Sequence, residues 1–146
     1  MIVFDTSIYI DALIPAKEKR NIQAREIIKI TTERNFEVFE PRTFIVELVG
    51  VLSRFKRRKE VKRVLNILIF INVILENEIF EEASDIAFEM HCRAIDSYFI
   101  ATSKLTNSIL IANDRIMVDN AKKYGIKAYY LIEEIDKVLS ELRGMR

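Results

Sequence analysis

The sequence predicts an α/β fold on a mainly parallel sheet, and three features carry that expectation. Short apolar runs rich in β-branched residues alternate with longer segments of helical period. "SILIAND" and "KAYYL" are separated by one helix-length segment, the spacing of a βαβ unit. The opening run Ile2-Val3-Phe4 leads into Asp5, and the run "SILIA" leads into Asn113 and Asp114. In such sheets, sites form beyond the carboxyl ends of the strands.

Taken in order, residues 2–5 read as a short buried strand. Thr6 or Ser7 is placed to cap a helix to about Leu13, ended by Pro15 and "AKEKRN". "IQAREIIKITTER" is helical, with Ile22, Ile27, Ile28 and Thr31 near one face. "FEVFE" alternates and stops at Pro41, as a short strand does. "RTFIVELVGVLSRFKRR" and "KEVKRVLNILIF" are successive helices, and "INVILE" is a strand. "EIFEEASDIAFEMHC" and "AIDSYFIATSKLT" are helices, with His91 and Cys92 capping and packing between them. "SILIAND" is a buried strand, and "RIMVDNAKKYGI" is a helix closed near Gly125. "KAYYL" is a strand with Tyr129 and Tyr130 on opposite faces, and "IEEIDKVLSELR" is a terminal helix. No repeat, low-complexity tract or internal boundary interrupts this order, so residues 1–146 read as a single domain.

Composition removes several function classes. Half the residues are hydrophobic (50%) and 31% are charged, enough for a real core and unlike a disordered chain. A net charge of +1 argues against a uniformly basic nucleic-acid binder while allowing a local basic patch. The single Cys92 makes no intramolecular disulfide and suits a reducing cytosol. No Cys/His cluster suggests zinc, and a lone His91 excludes a two-imidazole mechanism. The strand-like start at Met1 leaves no room for a signal peptide. The longest apolar stretch, Val64 to Leu75, contains Asn66 and Asn72 and is too short to span a bilayer. A cytoplasmic protein without membrane contact is expected, with that stretch mostly core and partly a dimer face.

Four acids stand in apolar surroundings. Glu47 lies in "FIVELVGVL", a helix apolar on nearly every face, where a lone charge needs a partner, a proton or a solvated cleft. Gly50, one turn later, would admit another backbone or a ligand. Asp96, in "RAIDSYFIATS", sits near a helix start, where the dipole favours an anion. Each acid has a plain structural alternative: a cap or turn for Asp5, a helix-start acid for Asp96, a turn for Asp114, an ion pair with Arg for Glu47. Read jointly, the four converge on one sheet edge. Like charges there repel, and a cation keeps them ionised most easily. All-oxygen ligation favours Mg²⁺ or Mn²⁺, ions that activate water for in-line attack on phosphorus. The residues therefore suggest a metal-dependent phosphodiesterase or nuclease.

Four ordered stretches resemble the PIN-domain family, most closely its VapC-type toxin ribonucleases: "VFDTSIYID", "FIVELVGVLSR", "RAIDSYFIATSKLTNSILIANDR" and "NAKKYGIKAYYL". The resemblance runs from Met1 to about Leu131. It implies a three-layer α/β/α fold with a short, mainly parallel central sheet. It implies a Mg²⁺- or Mn²⁺-dependent endoribonuclease leaving 5′-phosphate and 3′-hydroxyl ends, often a homodimer. In the toxin branch a small antitoxin protein blocks the acidic pocket. Carried over by position, it gives catalytic and metal-binding roles to Asp5, Glu47, Asp96 and Asp114. Thr6 matches a hydroxyl that supports the first acid and its metal, and Asn113 matches the polar position before the last acid. Ala112 departs from the family, which often has Thr or Ser there, so a supporting hydrogen bond is lost while the ligands remain. Asp119 is read as solvent-facing.

An RNA substrate requires flanking cations. "RFKRRK", Arg54 to Lys59, is the densest basic run, near the end of the Glu47 helix, and reads first as a solvated helix end. Arg42, one turn before Glu47, and Arg115, beside Asp114, are expected closer to a bound phosphate, and Phe55 either stacks on a base or packs in the core. A structured RNA loop is a reasonable substrate. A phosphotransfer enzyme with Asp5 as nucleophile would want an acid where Ser7 stands, and a receiver domain would want paired early acids. Neither accounts for Glu47. Within the same fold the alternatives are a nuclease of RNA processing or decay outside a toxin system, and an inactive binding module.

Overall fold

The computed structural model describes residues 1–145. Strands β1 (Ile2–Phe4), β4 (Ile109–Ala112) and β5 (Ala128–Tyr130) form a parallel sheet in the order β1-β4-β5. Strands β2 (Phe39–Pro41) and β3 (Asn72–Ile74) form a parallel pair. A single parallel bridge from Ile2 to Val38 joins the two groups. The helices are α1 (Thr6–Leu13), α2 (Lys19–Glu33), α3 (Thr43–Leu52), α4 (Arg58–Val64), α5 (Glu76–Met90), α6 (Ala94–Thr106), α7 (Arg115–Lys123) and α8 (Leu131–Gly144). They complete the three-layer α/β/α arrangement: α6 packs on α5 and lies against β1, β2 and β4, while α1 packs on α2 and α3, and α2 on α8.

The core follows from the apolar runs. Ile2, Val3 and Phe4 are buried together, as are Leu110 and Ile111, which fits strands covered on both faces. Phe44, Leu48 and Leu52 recur at helical spacing on α3 and are fully buried. On α6 the buried set includes Phe99, Ile100 and Ala101. On α8, Leu131, Val138 and Leu142 join the same cluster, tying the last helix to the rest.

Several elements depart from expectation. Asp5, not Thr6 or Ser7, caps α1, through a hydrogen bond from Ser7 N. In α2, Lys19, Arg20 and Asn21 lie inside the helix, and Ile22 is exposed. The buried stripe is Ala24, Ile27 and Thr31, which the helical period aligns and Ile22 misses. Strand β2 is displaced to Phe39–Pro41. Helix α3 stops at Leu52 instead of running through the basic run, because Ser53 Oγ bonds the Gly50 carbonyl and the Glu60 carboxylate accepts the Arg57 N–H to start α4. Phe55 lies in this turn and is exposed.

The stretch Val64–Leu75 packs against the core through Val64, Leu65, Ile67, Leu68, Ile71 and Ile74, but none of these is fully buried. Its middle, Leu65–Phe70, is a 3-10 turn with no fully buried residue, and Ile69 and Phe70 are 79% and 70% exposed. Three residues per turn point side chains to three sides, so only part of the run can face inward. Among the described residues no helix is long and apolar enough to cross a membrane.

Phe99 lies at the centre of this packing, two residues after the buried Ser97. Phe99→Ala should destabilise the protein by about 3–5 kcal/mol. Urea denaturation would read this as a lowered midpoint with unchanged slope, and a loss below about 1 kcal/mol would contradict the packing described.

Candidate active site

Parallel register brings the strand ends to one edge. Phe4 pairs with Ile111, and the Asp5 N–H donates to the Ile111 carbonyl at 3.0 Å. The chain therefore leaves β1 and β4 side by side, Asp5 capping α1 and Asp114 capping α7. Ser7 Oγ accepts the Asn113 N–H at 2.9 Å and fastens the two turns together. Asn113 Nδ2 donates to Asp11 Oδ2 at 2.6 Å, and Asp11 is gripped by Arg20 through two bonds of 2.9 Å. Across the sheet, fully buried Glu40 accepts from the Phe4 N–H at 3.0 Å and the Tyr9 hydroxyl at 2.8 Å. Burial pushes the Glu40 carboxyl well above its ordinary range. These contacts hold the segment that carries Asp5.

The four sequence-selected acids gather at this edge. Glu47, half-buried on α3, accepts a short hydrogen bond from the Thr6 hydroxyl. Asp96, in the first turn of α6, is buried, and its Oδ1 has no hydrogen-bond partner. Burial raises the Asp96 carboxyl, the Arg93 guanidinium opposes this, and the charges of Asp114 and Glu47 add to it. Burial likewise lifts Asp5 from 3.8 to about 6, against the hydrogen bonds from Ser7 and with help from Glu47 and Asp114. The carboxylates thus act on one another, two of them buried and two half-buried.

The structure adds one participant that sequence reasoning missed. Arg93, immediately before α6, donates from Nε to Asp96 Oδ2 at 3.0 Å and from Nη2 to Asp114 Oδ2 at 2.6 Å. Its spacing of three residues from Asp96 was a usable signal, but its reach to Asp114 depends on the fold. The supporting roles of Ser7, Asp11 and Glu40 carried no sequence signal of comparable strength.

Other expectations resolve differently. Thr6 bonds Glu47 and not Asp5, which is held by Ser7 N. The Asn113 side chain turns to Asp11 and leaves its Oδ1 buried without a partner. Helix α3 is apolar on nearly every face but not buried on every face, since Val46 is 76% exposed, and Glu47 takes a hydroxyl and not an arginine as its partner. No heavy atom lies within 4 Å of a Cβ placed on Gly50, so nothing approaches closely there. Arg42 pairs with Glu76 at 2.9 Å. Arg115 pairs with Glu133 and lies 4.6 Å over the Tyr130 ring. Neither guanidinium faces the acids unpaired. Ala112 is fully buried, and Asp119 is exposed as expected.

The donor set is chemically suited to a hard cation: four carboxylates and a hydroxyl, one carboxylate oxygen being buried and unsatisfied. Among the described residues no three acidic, histidine or cysteine side chains already close around one point. Arg93 occupies two of the carboxylates instead. A concavity at the opposite edge, lined by Met1, Ser108, Ile109 and Lys127, contains none of these acids.

Residues 2–123 match the PIN domain family, and the chain belongs to it. PIN domains are generally nucleases that use divalent metals. No curated protein matches the sequence. Solved structures similar in fold include a toxin-antitoxin complex from Klebsiella pneumoniae, at 18% identity and TM-score 0.62, covering 78% of this chain and 87% of that one. PAE2754 from Pyrobaculum aerophilum is similar at 15% identity and TM-score 0.61, covering 99% and 96%. FitAcB from Neisseria gonorrhoeae is similar at 17% identity and TM-score 0.63, covering 88% and 96%.

Because Asp5 holds its proton more tightly in the folded protein, folding stability falls as pH rises from 3.8 to about 6, and the full cost is present above that window. With divalent ions chelated, Asp5→Asn should therefore stabilise the protein by about 1–3 kcal/mol near pH 8, and the gain should vanish near pH 4. Asn keeps the helix cap. Urea denaturation at the two pH values checks this, and a variant destabilised at both would refute the account of Asp5.

Proposed function

We propose that this protein is a metal-dependent endoribonuclease, the toxin of a toxin–antitoxin pair, and that one PIN-like domain occupies residues 1–146. The observation that carries the reading is the gathering of Asp5, Glu47, Asp96 and Asp114 at the carboxyl edge of the sheet, in a chain of the PIN domain family. Mg²⁺ or Mn²⁺ is the cofactor that suits these oxygens. When bound, such an ion lowers the pKa of water and stabilises charge on phosphate oxygens.

The chain's own residues would do the rest. Asp5, Glu47, Asp96 and Asp114 hold the ion, directly or through water. The Thr6 hydroxyl orients Glu47, and Asn113 with Ser7 keeps the end of β4 beside the start of α1. Burial of Asp5 and Asp96 excludes bulk water and strengthens each charge interaction at the scissile phosphate. The basic run Arg54–Lys59, in the turn after α3 and the start of α4, and Arg93 would supply positive charge for the RNA backbone.

A small antitoxin is the expected protein partner, by analogy with the Klebsiella pneumoniae complex of similar fold. Exposed Ile69 and Phe70 support a homodimer face on the same molecule. A cytoplasmic location, in keeping with the single unpaired Cys92, belongs to the same reading.

A labelled structured RNA should be cleaved in the presence of Mn²⁺ or Mg²⁺ and not in EDTA. Asp96→Asn should lower the rate at least about 100-fold, beyond the usual effect of losing a merely supporting group. Cleavage that persists in EDTA, or no cleavage by folded protein with either ion, would contradict the assignment.

A further inference from the structure

Arg93 is spent on the acids themselves. Its Nε reaches Asp96 Oδ2 at 3.0 Å and its Nη2 reaches Asp114 Oδ2 at 2.6 Å. Asp114 Oδ1 is taken by the Met117 N–H at 3.1 Å, and Asp96 Oδ1 is buried with no partner. Arg93 therefore cross-links the first turn of α6 to the cap of α7 and takes the only oxygen of each carboxylate that has a side-chain cation. A planar guanidinium spreads two carboxylates across its fork, whereas a small divalent ion draws its ligands around one point. This matches the lack of any closed ligand group among the described residues.

We propose that Arg93 is a built-in competitor for the metal seat: it neutralises Asp96 and Asp114 in the metal-free protein and must leave them for a divalent ion to bind. The inference rests on the reading of these acids as a metal site. Displacement is physically easy. The Arg93 side chain is 65% exposed, so water accepts its charge once released, and its pair with the partly exposed Asp114 is of the weak surface kind. Asp96 is buried, so an arriving cation has to replace the guanidinium there as it leaves. The released guanidinium remains at the rim of the site, where a backbone phosphate would lie. Removing Arg93 acts twice in the same direction: it frees two oxygens, and it deletes a like charge that repels the incoming ion.

Calorimetric titration of the intact protein with Mn²⁺ alone, near pH 8 and without RNA, tests this. Arg93→Gln should bind Mn²⁺ about tenfold more tightly than the unaltered chain, a gain of about 1.4 kcal/mol. Arg93→Lys, a point charge that cannot bridge both acids, should fall between them. Mn²⁺ should also raise the melting temperature of Arg93→Gln by more than that of the unaltered protein. Should Arg93→Gln fail to fold, Arg93→Lys carries the test, and it too must bind more tightly. Equal or weaker binding by the folded variants overturns the role of Arg93 and leaves the metal site standing. No binding by the unaltered protein or any variant overturns the metal reading, and the role of Arg93 with it.

Discussion

Charge repulsion at the carboxyl edge of a short parallel sheet is the constraint around which this molecule is organised. Asp5 and Asp114 leave neighbouring strands at the same level because β1 and β4 are parallel and in register. Asp96 and Glu47 arrive from α6 and α3, and each carboxylate lies within the field of others. A carboxylate deprived of water must find a proton, a hydrogen-bond donor or a cation. Donors and a cation are both in place here. Asp5 accepts the Ser7 N–H and holds a proton up to higher pH than a free carboxyl, Glu47 takes the Thr6 hydroxyl, and Asp96 shares Arg93 with Asp114.

The surrounding structure holds this unfavourable arrangement in place. Large buried side chains such as Phe4, Phe44 and Phe99 each contribute about 1.5–3 kcal/mol by burial, which offsets the desolvation of the acids. Polar contacts then set the geometry. Ser7 joins the two strand-ending turns, Asp11 and Arg20 brace Asn113, and Glu40 pins the end of β1 to α1 through Tyr9. On the proposed reading a cation would relieve this repulsion, so stability and metal binding are expected to be linked.

Much of this was legible in the sequence, for reasons that differ by element. "AIDSYFIATSKLT" is α6, residue for residue, because its helical pattern is bounded by Arg93 in an extended conformation and Asn107 in a left-handed one. The strands β1 and β4 were legible as compact β-branched runs, and their acids as the residues that stop them. Local pattern failed where tertiary context decides. The break of α3 depends on Ser53 and Glu60 competing with helix continuation. The exposure of Ile69 and Phe70 depends on a 3-10 turn that hydropathy does not register. In the candidate site, apolar context and strand ends single out the four acids that the fold brings near one another, but not Arg93. Its significance lies in reaching Asp114, 21 residues away in sequence.

The central claim is that the four carboxylates form one cation-holding site at this edge. Anomalous diffraction from crystals soaked in Mn²⁺ tests it directly. The account predicts a manganese peak among Asp5, Glu47, Asp96 and Asp114, with the Arg93 guanidinium withdrawn from Asp96 and Asp114. A fully soaked crystal with no peak at this edge, or with manganese bound only elsewhere on the molecule, would contradict it.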